Sequence, residues 1–127
     1  TIKRDLNIKR LTLIAKEASE QCERISIPKI NCAINLIEFV NEWDSKGSIL
    51  YADETMKKKF NFKQTKLKIS SKGSVLIGPE GGFSEKEIKF LKSKEFVIPI
   101  SLGPRVLKSD TAAIVVLTYW FILNSFN

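Results

Sequence analysis

The stretch "GPEGGFSEKE" (Gly78 to Glu87) follows directly on the apolar run "SVLI" (Ser74 to Ile77). The apolar run predicts a buried strand, and Ser84 with Glu87 three residues later predicts the capping box of a helix. One glycine supplies the positive φ that a turn needs, so a proline and three glycines in five residues suggest more than a turn. We therefore expect a strand, a loop and a helix in which something closely approaches the bare loop backbone.

Outward from this stretch, short apolar runs alternate with helical patterns. Apolar spacing predicts helices over about residues 7–23, 36–43 and 110–124, and strands over residues 48–52 and 96–100. This alternation predicts an α/β fold with a mostly parallel sheet and helices on both faces. A run as uniformly apolar as "SVLI" is expected away from the edges of such a sheet. The last helix is apolar around nearly its whole circumference, which predicts that it is enclosed by its own chain or by a partner subunit.

A second glycine-containing loop, "SLGPRVLKSD" (residues 101–110), follows the last predicted strand. Ligands bind at the carboxyl ends of the strands in open α/β sheets. Gly103 lacks a Cβ that would obstruct a ligand, and Leu102 and Leu107 can form an apolar wall. For one loop alone a structural turn explains the glycines, whereas two loops on neighbouring strands favour a ligand. Neither loop matches the dinucleotide or triphosphate fingerprints, which disfavours nicotinamide and nucleoside triphosphates.

Composition limits the chemistry of this 127-residue chain, whose length suits one domain. It contains no histidine and only two cysteines, which argues against a zinc site and excludes a histidine base. No segment resembles a signal peptide, and the longest apolar segment (residues 112–123) is too short to span a bilayer. We therefore expect a soluble, cytoplasmic protein with no metal.

The net charge of +7 is concentrated in one segment, residues 57–72, which contains seven lysines and no acidic residue. Such a segment is typical of a surface that faces phosphate groups. The abundance of lysine over arginine could equally reflect an AT-rich genome, so both explanations stay open at this point.

Three ordered segments together resemble the ribosomal RNA small-subunit methyltransferase E family. They are "IAKEASEQCERISIPKI" (residues 14–30), "LIGPEGGFSEKEI" (76–88) and "SLGPRVLKSDTAAIVVL" (101–117). Members of this family methylate N3 of a uridine in 16S ribosomal RNA. The resemblance implies an S-adenosylmethionine-binding fold of the SPOUT class, with a trefoil knot near the C-terminus. It also implies a homodimer whose active site lies at the interface, acting on 16S ribosomal RNA or the small ribosomal subunit.

The resemblance implies that S-adenosylmethionine lies against the backbone of the two loops. The cofactor-binding residues it implies are Gly78, Pro79, Glu80, Gly81, Gly82, Ser101, Leu102, Gly103, Leu107 and Thr111. Glu80 has two open roles, a contact to the ribose hydroxyls or ammonium of the cofactor or a hydrogen bond that holds the turn. RNA phosphates are expected at Arg24, Lys57, Lys58, Lys59, Lys63 and Arg105.

Methylation of N3 requires loss of the N3 proton, because a neutral imide is a poor nucleophile. Without histidine, a carboxylate or a cation that stabilises the uracil anion must contribute. We expect Arg24 and Lys108 to favour the anion, and Asp110 to accept the proton or orient a partner. Each residue has a plain alternative as a surface or helix-capping residue.

The chain departs from the family pattern in three respects. Lys108 stands where the family has arginine, and Asp110 where it has glutamate. The N-terminal RNA-binding barrel and the first strand–helix segment of the catalytic domain have no counterpart in this sequence. We therefore expect residues 1–127 to form a single SPOUT-type domain that is truncated at its N-terminus. A non-catalytic RNA-binding or ribosome-assembly module of the same fold, and a methyltransferase acting on transfer RNA, are the alternatives.

Overall fold

The structure, a computed structural model, describes residues 7–43, 47–56, 59 and 61–125. It contains two compact units, an N-terminal one (Thr1–Glu42) and a C-terminal one (Trp43–Asn127). The N-terminal unit contains α1 (Ile8–Gln21) and α2 (Leu36–Asn41). The C-terminal unit contains β1 (Ser48–Ala52), α3 (Phe62–Lys68), β2 (Gly73–Leu76), α4 (Glu85–Lys92), β3 (Val97–Ile100) and α5 (Ser109–Ser125). The single-domain organisation of residues 1–127 stays a prediction.

Asparagine side chains begin both helices of the N-terminal unit. Asn7 accepts a hydrogen bond from the backbone N–H of Arg10, and Asn35 accepts from the N–H of Ile37 and Glu38. Each cap satisfies N–H groups that the first helical turn leaves unpaired and stabilises its helix by about 1 kcal/mol. The observed bounds lie within two residues of those predicted from the apolar spacing.

The described sheet consists of three parallel strands in the order β2-β1-β3, which confirms the prediction of a parallel α/β sheet. The expectation that the "SVLI" run lies away from the edges was wrong, since β2 is an edge strand of this sheet. Its apolar side chains are covered by a helix rather than flanked by strands on both sides: Val75 and Ile77 pack against the core that α5 closes. A Cβ built on Gly73 would lie 2.8 Å from a ring carbon of Trp120, so this side chain of α5 covers the start of β2 closely.

The core lies between the sheet and α5. Leu50 of β1 packs with Val116 and Leu123 of α5, and all three side chains are buried. Because side chains alternate along a strand, Ile49 and Tyr51 lie on the opposite face, and they too are fully buried. The central strand is therefore held on both faces, which fixes the position of the residues that follow its carboxyl end.

Local signals set the remaining boundaries of the C-terminal unit. The capping box of α4 is confirmed, since the Ser84 hydroxyl accepts from the N–H of Glu87 and the Glu87 carboxylate accepts from the N–H of Ser84. The segment with seven lysines, residues 57–72, contains α3. None of the helices that the structure describes is both long and apolar enough to cross a membrane. The trefoil knot stays a prediction.

Candidate functional site

The two glycine-containing loops lie side by side at the carboxyl ends of β2 and β3. The Ser109 hydroxyl, at the start of α5, donates to the carbonyl oxygen of Gly78 at 3.1 Å. Both loops line one cavity of about 130 Å³, at the edge of the sheet where ligands bind in α/β folds. Seven of the residues predicted to bind the cofactor or RNA line it: Gly78, Gly81, Gly82, Leu102, Gly103, Arg105 and Leu107.

A third loop, directly after β1, forms another wall of this cavity. Asp53, Glu54 and Thr55 line it, and the sequence analysis missed all three. They contain no glycine, so the feature that marked the other loops is absent. Their position gave a usable signal, because they follow the apolar strand "SILYA" and the carboxyl ends of parallel strands meet at one edge. The remaining lining residues are Ala52, Ile77, Phe83, Ile88, Ser109 and Ala112.

The cavity glycines differ in what surrounds them. A Cβ on Gly78 would lie 3.0 Å from a ring carbon of Phe83, whose ring in turn contacts the ring of Tyr51 edge-on. A side chain at position 78 would therefore push against the Phe83 ring. Gly81 and Gly103 have φ of +86° and +102°, and a Cβ on either would meet no atom within 4 Å. These two glycines combine the positive φ that a turn needs with the open space that a ligand needs, so the turn and the ligand explanations both apply to them.

Asp53 is a buried charge in the wall of the cavity, with a side chain only 1% exposed. One carboxylate oxygen accepts from the N–H and the hydroxyl of Thr55, at 2.9 and 2.6 Å. The other is 3.3 Å from Nζ of Lys92 and accepts from the Tyr51 hydroxyl at 3.4 Å. Burial by itself raises the pKa of Asp53, but the Thr55 hydrogen bonds and Lys92 outweigh it and lower the pKa. Burial and the Asp53 charge raise the pKa of Tyr51, which keeps its proton as a donor.

Asp53→Ala is expected to lower the free energy of unfolding by about 2–4 kcal/mol, because it removes a buried carboxylate with several hydrogen bonds. Lys92→Ala is the matched control and should cost less than about 1 kcal/mol, since the Lys92 side chain is 48% exposed. Urea unfolding of both variants at neutral pH measures the difference. Equal costs for the two variants would contradict the role of Asp53.

Wild type and Asp53→Ala also test how the free energy of unfolding depends on pH. The folded pKa of Asp53 lies below its ordinary value of 3.8, so the unfolded chain binds the proton more tightly. The stabilisation is therefore present at pH values above 3.8 and is lost as the pH falls through the folded pKa. The difference between wild type and Asp53→Ala should shrink below about pH 4.

Several predicted cofactor-binding residues lie outside the lining of this cavity. Pro79, Glu80 and Thr111 are exposed. Ser101 is buried; its hydroxyl donates to the Met56 carbonyl at 2.9 Å and accepts from the N–H of Gly103 at 3.2 Å. Ser101 therefore links the Gly103 loop to the loop after β1 through its hydrogen bonds. The roles of these residues in cofactor binding stay predictions.

The predicted catalytic residues lie in different places. Lys108 is exposed and lies in the chain between two lining residues, Leu107 and Ser109. Asp110 is exposed in the first turn of α5, where its carboxylate accepts from the N–H of Thr111 at 2.8 Å. Arg24 belongs to the N-terminal unit and lies 3.5 Å from the Ser26 hydroxyl.

The predicted RNA contacts are only partly described. Lys59 and Lys63 are exposed in the C-terminal unit and do not line this cavity. Lys57 and Lys58 lie outside the described residues. Within the described ranges, no group of three carboxylate or thiol side chains is placed to hold a metal ion.

Known proteins resemble this chain in sequence. The ribosomal RNA small subunit methyltransferase E of Rickettsia conorii is 34% identical over 123 residues, which cover 96% of this chain and 50% of that protein. Its namesake from Bacillus subtilis is 32% identical over 114 residues, covering 86% and 44%. The chain thus spans about half the length of the curated relatives it matches.

Solved structures of other proteins superpose on this chain. A Legionella pneumophila protein in complex with the bound cofactor SAM superposes with a TM-score of 0.72 at 32% identity, covering 91% of this chain and 46% of that one. The ribosomal RNA small subunit methyltransferase E of Neisseria gonorrhoeae, bound to S-adenosyl methionine, superposes with a TM-score of 0.79 at 21% identity, covering 100% and 52%. A family model described as an RNA methyltransferase domain matches residues 1–121. The chain therefore belongs to the RNA methyltransferase domain family, together with the small subunit methyltransferase E proteins that it resembles.

Proposed function

We propose that this chain carries the methyl-transferring part of an S-adenosylmethionine-dependent enzyme that methylates N3 of a uridine in 16S ribosomal RNA. The observation that supports it most is a single cavity formed by the loops after all three described strands, in a chain of the RNA methyltransferase domain family. An enzyme with this substrate works in the cytoplasm, where the small ribosomal subunit is assembled.

The cavity contains the groups that the methyl donor requires. Near Gly81 and Gly103 no Cβ stands between an adenine edge and the peptide groups of the loop backbones, of which the N–H of Gly103 already donates to Ser101. Ile77, Leu102 and Leu107 supply apolar surface for its faces. Together these groups suit the adenine of the donor.

An acidic side chain also lies in the cavity. A Cβ built on Gly82 would be 3.3 Å from a carboxylate oxygen of Glu54, so this carboxylate lies against the bare glycine. Glu54 is therefore suited to the ribose hydroxyls or the ammonium group of the donor. A contact to the ribose hydroxyls or the ammonium group was one of the two roles considered for Glu80. We assign this role to Glu54 instead, since Glu80 is exposed and does not line the cavity.

When bound, S-adenosylmethionine supplies an electrophilic methyl group. The protein must favour the uracil anion and accept the N3 proton. Lys108, flanked in sequence by two lining residues, is the cation assigned to the developing negative charge. Arg24 is assigned as a second cation and Asp110 as the proton acceptor or the residue that orients it.

The test incubates the chain with donor labelled in its methyl group and small ribosomal subunits, then digests the RNA to nucleosides. The proposal requires label in N3-methyluridine. RNA binding without label would favour the non-catalytic assembly module, and label only when transfer RNA is supplied would favour the third alternative. Any other labelled nucleoside contradicts the assignment of N3.

We further propose that the chain forms a homodimer through α5. Ile114, Leu117, Phe121 and Ile122 follow helical spacing along one face, and Ile114 and Phe121 remain 68% and 67% exposed. A contiguous apolar face of this kind is typical of a subunit interface.

Phe121→Lys is expected to convert the dimer to monomers, because a charge replaces a large apolar side chain at the interface. Leu67→Lys is the matched control, since Leu67 is 88% exposed on α3. Sedimentation equilibrium of the two variants and the wild type measures the molecular mass. A wild-type chain that stays monomeric at high concentration would reject the proposal.

A further inference from the structure

A second, larger groove runs beside the edge strand β3, with a volume of about 520 Å³. Among the described residues, four lysines from three parts of the chain line it, against a single acidic residue, Glu95. The lysines of this basic groove are Lys59, Lys68, Lys92 and Lys94. Lys59 and Lys68 belong to the segment 57–72 that the sequence analysis associated with phosphate groups, whereas Lys92 and Lys94 lie outside it.

The edge of β3 in this groove is poorly suited to another strand. Phe96 and Ile100 accept hydrogen bonds from β1 through their carbonyl oxygens, so the alternate residues Val97 and Pro99 direct their backbone groups away from β1. The N–H of Val97 already donates to the Lys94 carbonyl at 3.2 Å. Proline has no N–H, so neither residue offers a donor to an added strand.

Two of the lysines are held in place by their own contacts. Nζ of Lys92 forms the ion pair with Asp53, and Nζ of Lys94 lies 5.2 Å from the centre of the Phe90 ring. The described lining includes no arginine and no aromatic side chain. Ammonium groups without stacking surfaces favour phosphate contacts that do not depend on base sequence.

The basic groove adjoins the donor cavity. Thr55 lines the cavity and the next residue, Met56, lines the groove. Ser101 lines the groove, and its hydroxyl accepts the N–H of Gly103, which lines the cavity. A strand of RNA in the groove would therefore lie next to the donor cavity.

We propose that the basic groove binds phosphate groups of the RNA substrate, an inference that rests on the proposed RNA methyltransferase function. Lys59, Lys68 and Lys94 neutralise the RNA backbone without selecting its sequence, whereas the charge of Lys92 is already paired with Asp53. Base selection then belongs to the donor cavity and its surroundings.

The test measures the affinity of the full chain for a short fluorescein-labelled RNA by anisotropy, at several salt concentrations. The groove variant is Lys68→Ala with Lys94→Ala. The control is Lys86→Ala with Lys89→Ala, which removes the same charge from α4 outside both cavities. Lys92 is left unchanged, because its replacement would also remove the ion pair with Asp53 and so change two contacts at once.

The groove variant is expected to bind RNA on the order of tenfold more weakly at about 100 mM salt. Its plot of log affinity against log salt should flatten by about 1.4, since each lost contact to single-stranded RNA lowers the slope by about 0.7. The control should change the slope by less than half as much. Lys68→Glu alone, on the exposed face of α3, gives a second route if the double variant does not fold.

Equal weakening by the two double variants, or none by the groove variant, would overturn the proposal. So would a loss of affinity confined to a labelled polyglutamate peptide, which would mark the groove as a site for an acidic protein. Calorimetry with S-adenosylmethionine on the same proteins separates this inference from the proposed function. Absence of donor binding by the wild type rejects the methyltransferase, while the RNA comparison still decides the groove.

Discussion

Gly103→Ala is expected to weaken S-adenosylmethionine binding by at least about tenfold, which corresponds to about 1.4 kcal/mol. The added methyl group would meet no protein atom within 4 Å, so it would stand in the space where the donor is proposed to lie. The φ of +102° at this position adds strain of about 1–3 kcal/mol to the folded state. Calorimetric titration, with thermal unfolding to confirm that the variant is folded, measures both effects.

Pro104→Ala is the matched control for this variant. Pro104 is the next residue of the same loop, but it is exposed and does not line the cavity. It should bind the donor as the wild type does. If Gly103→Ala binds as tightly as Pro104→Ala, the loop does not approach the donor.

Lys108→Met is expected to reduce methyl transfer by about 10²–10³-fold while leaving donor affinity unchanged. Loss of one group that stabilises developing charge has an effect of this size. Lys108 is exposed and does not itself line the cavity, so its replacement removes charge without altering the walls. Single-turnover transfer to RNA at saturating donor measures the rate, and calorimetry measures the affinity.

Lys108→Arg serves as the control, because arginine keeps the charge and is the residue that the family usually has here. It should retain most of the activity. Full activity of Lys108→Met would remove Lys108 from the mechanism. Loss of donor affinity in that variant would instead place Lys108 at the cofactor.

Local patterns were sufficient to predict most of the fold. Ser84 and Glu87 predicted the cap of α4, and apolar spacing predicted the start of α2, because these signals depend only on nearby residues. The alternation of apolar strands with helices was sufficient for a parallel sheet. The edge position of β2 was not predictable, since a strand covered by Trp120 and its helix has the same apolar composition as one flanked by strands.

The candidate site was predictable only where a residue type marked it. Gly81 and Gly103 are conspicuous in the sequence because few side chains tolerate their conformation. Asp53 and Lys92 are far apart in the chain and are ordinary residues individually, so nothing local indicates that they form an ion pair. Lys68 and Lys94 likewise belong to one groove only because α3 and the β3 edge lie together in the folded chain.

Amide resonances of the isotope-labelled chain, followed while S-adenosylmethionine is added, test the central claim most directly. The account predicts that signals from residues 78–82 and from residues 102–107 shift together and saturate at the same donor concentration. Signals from the strand starts, at the other end of the sheet, should stay in place. A saturating shift confined to one of the two loops, or no shift in either, would contradict a single donor held by both.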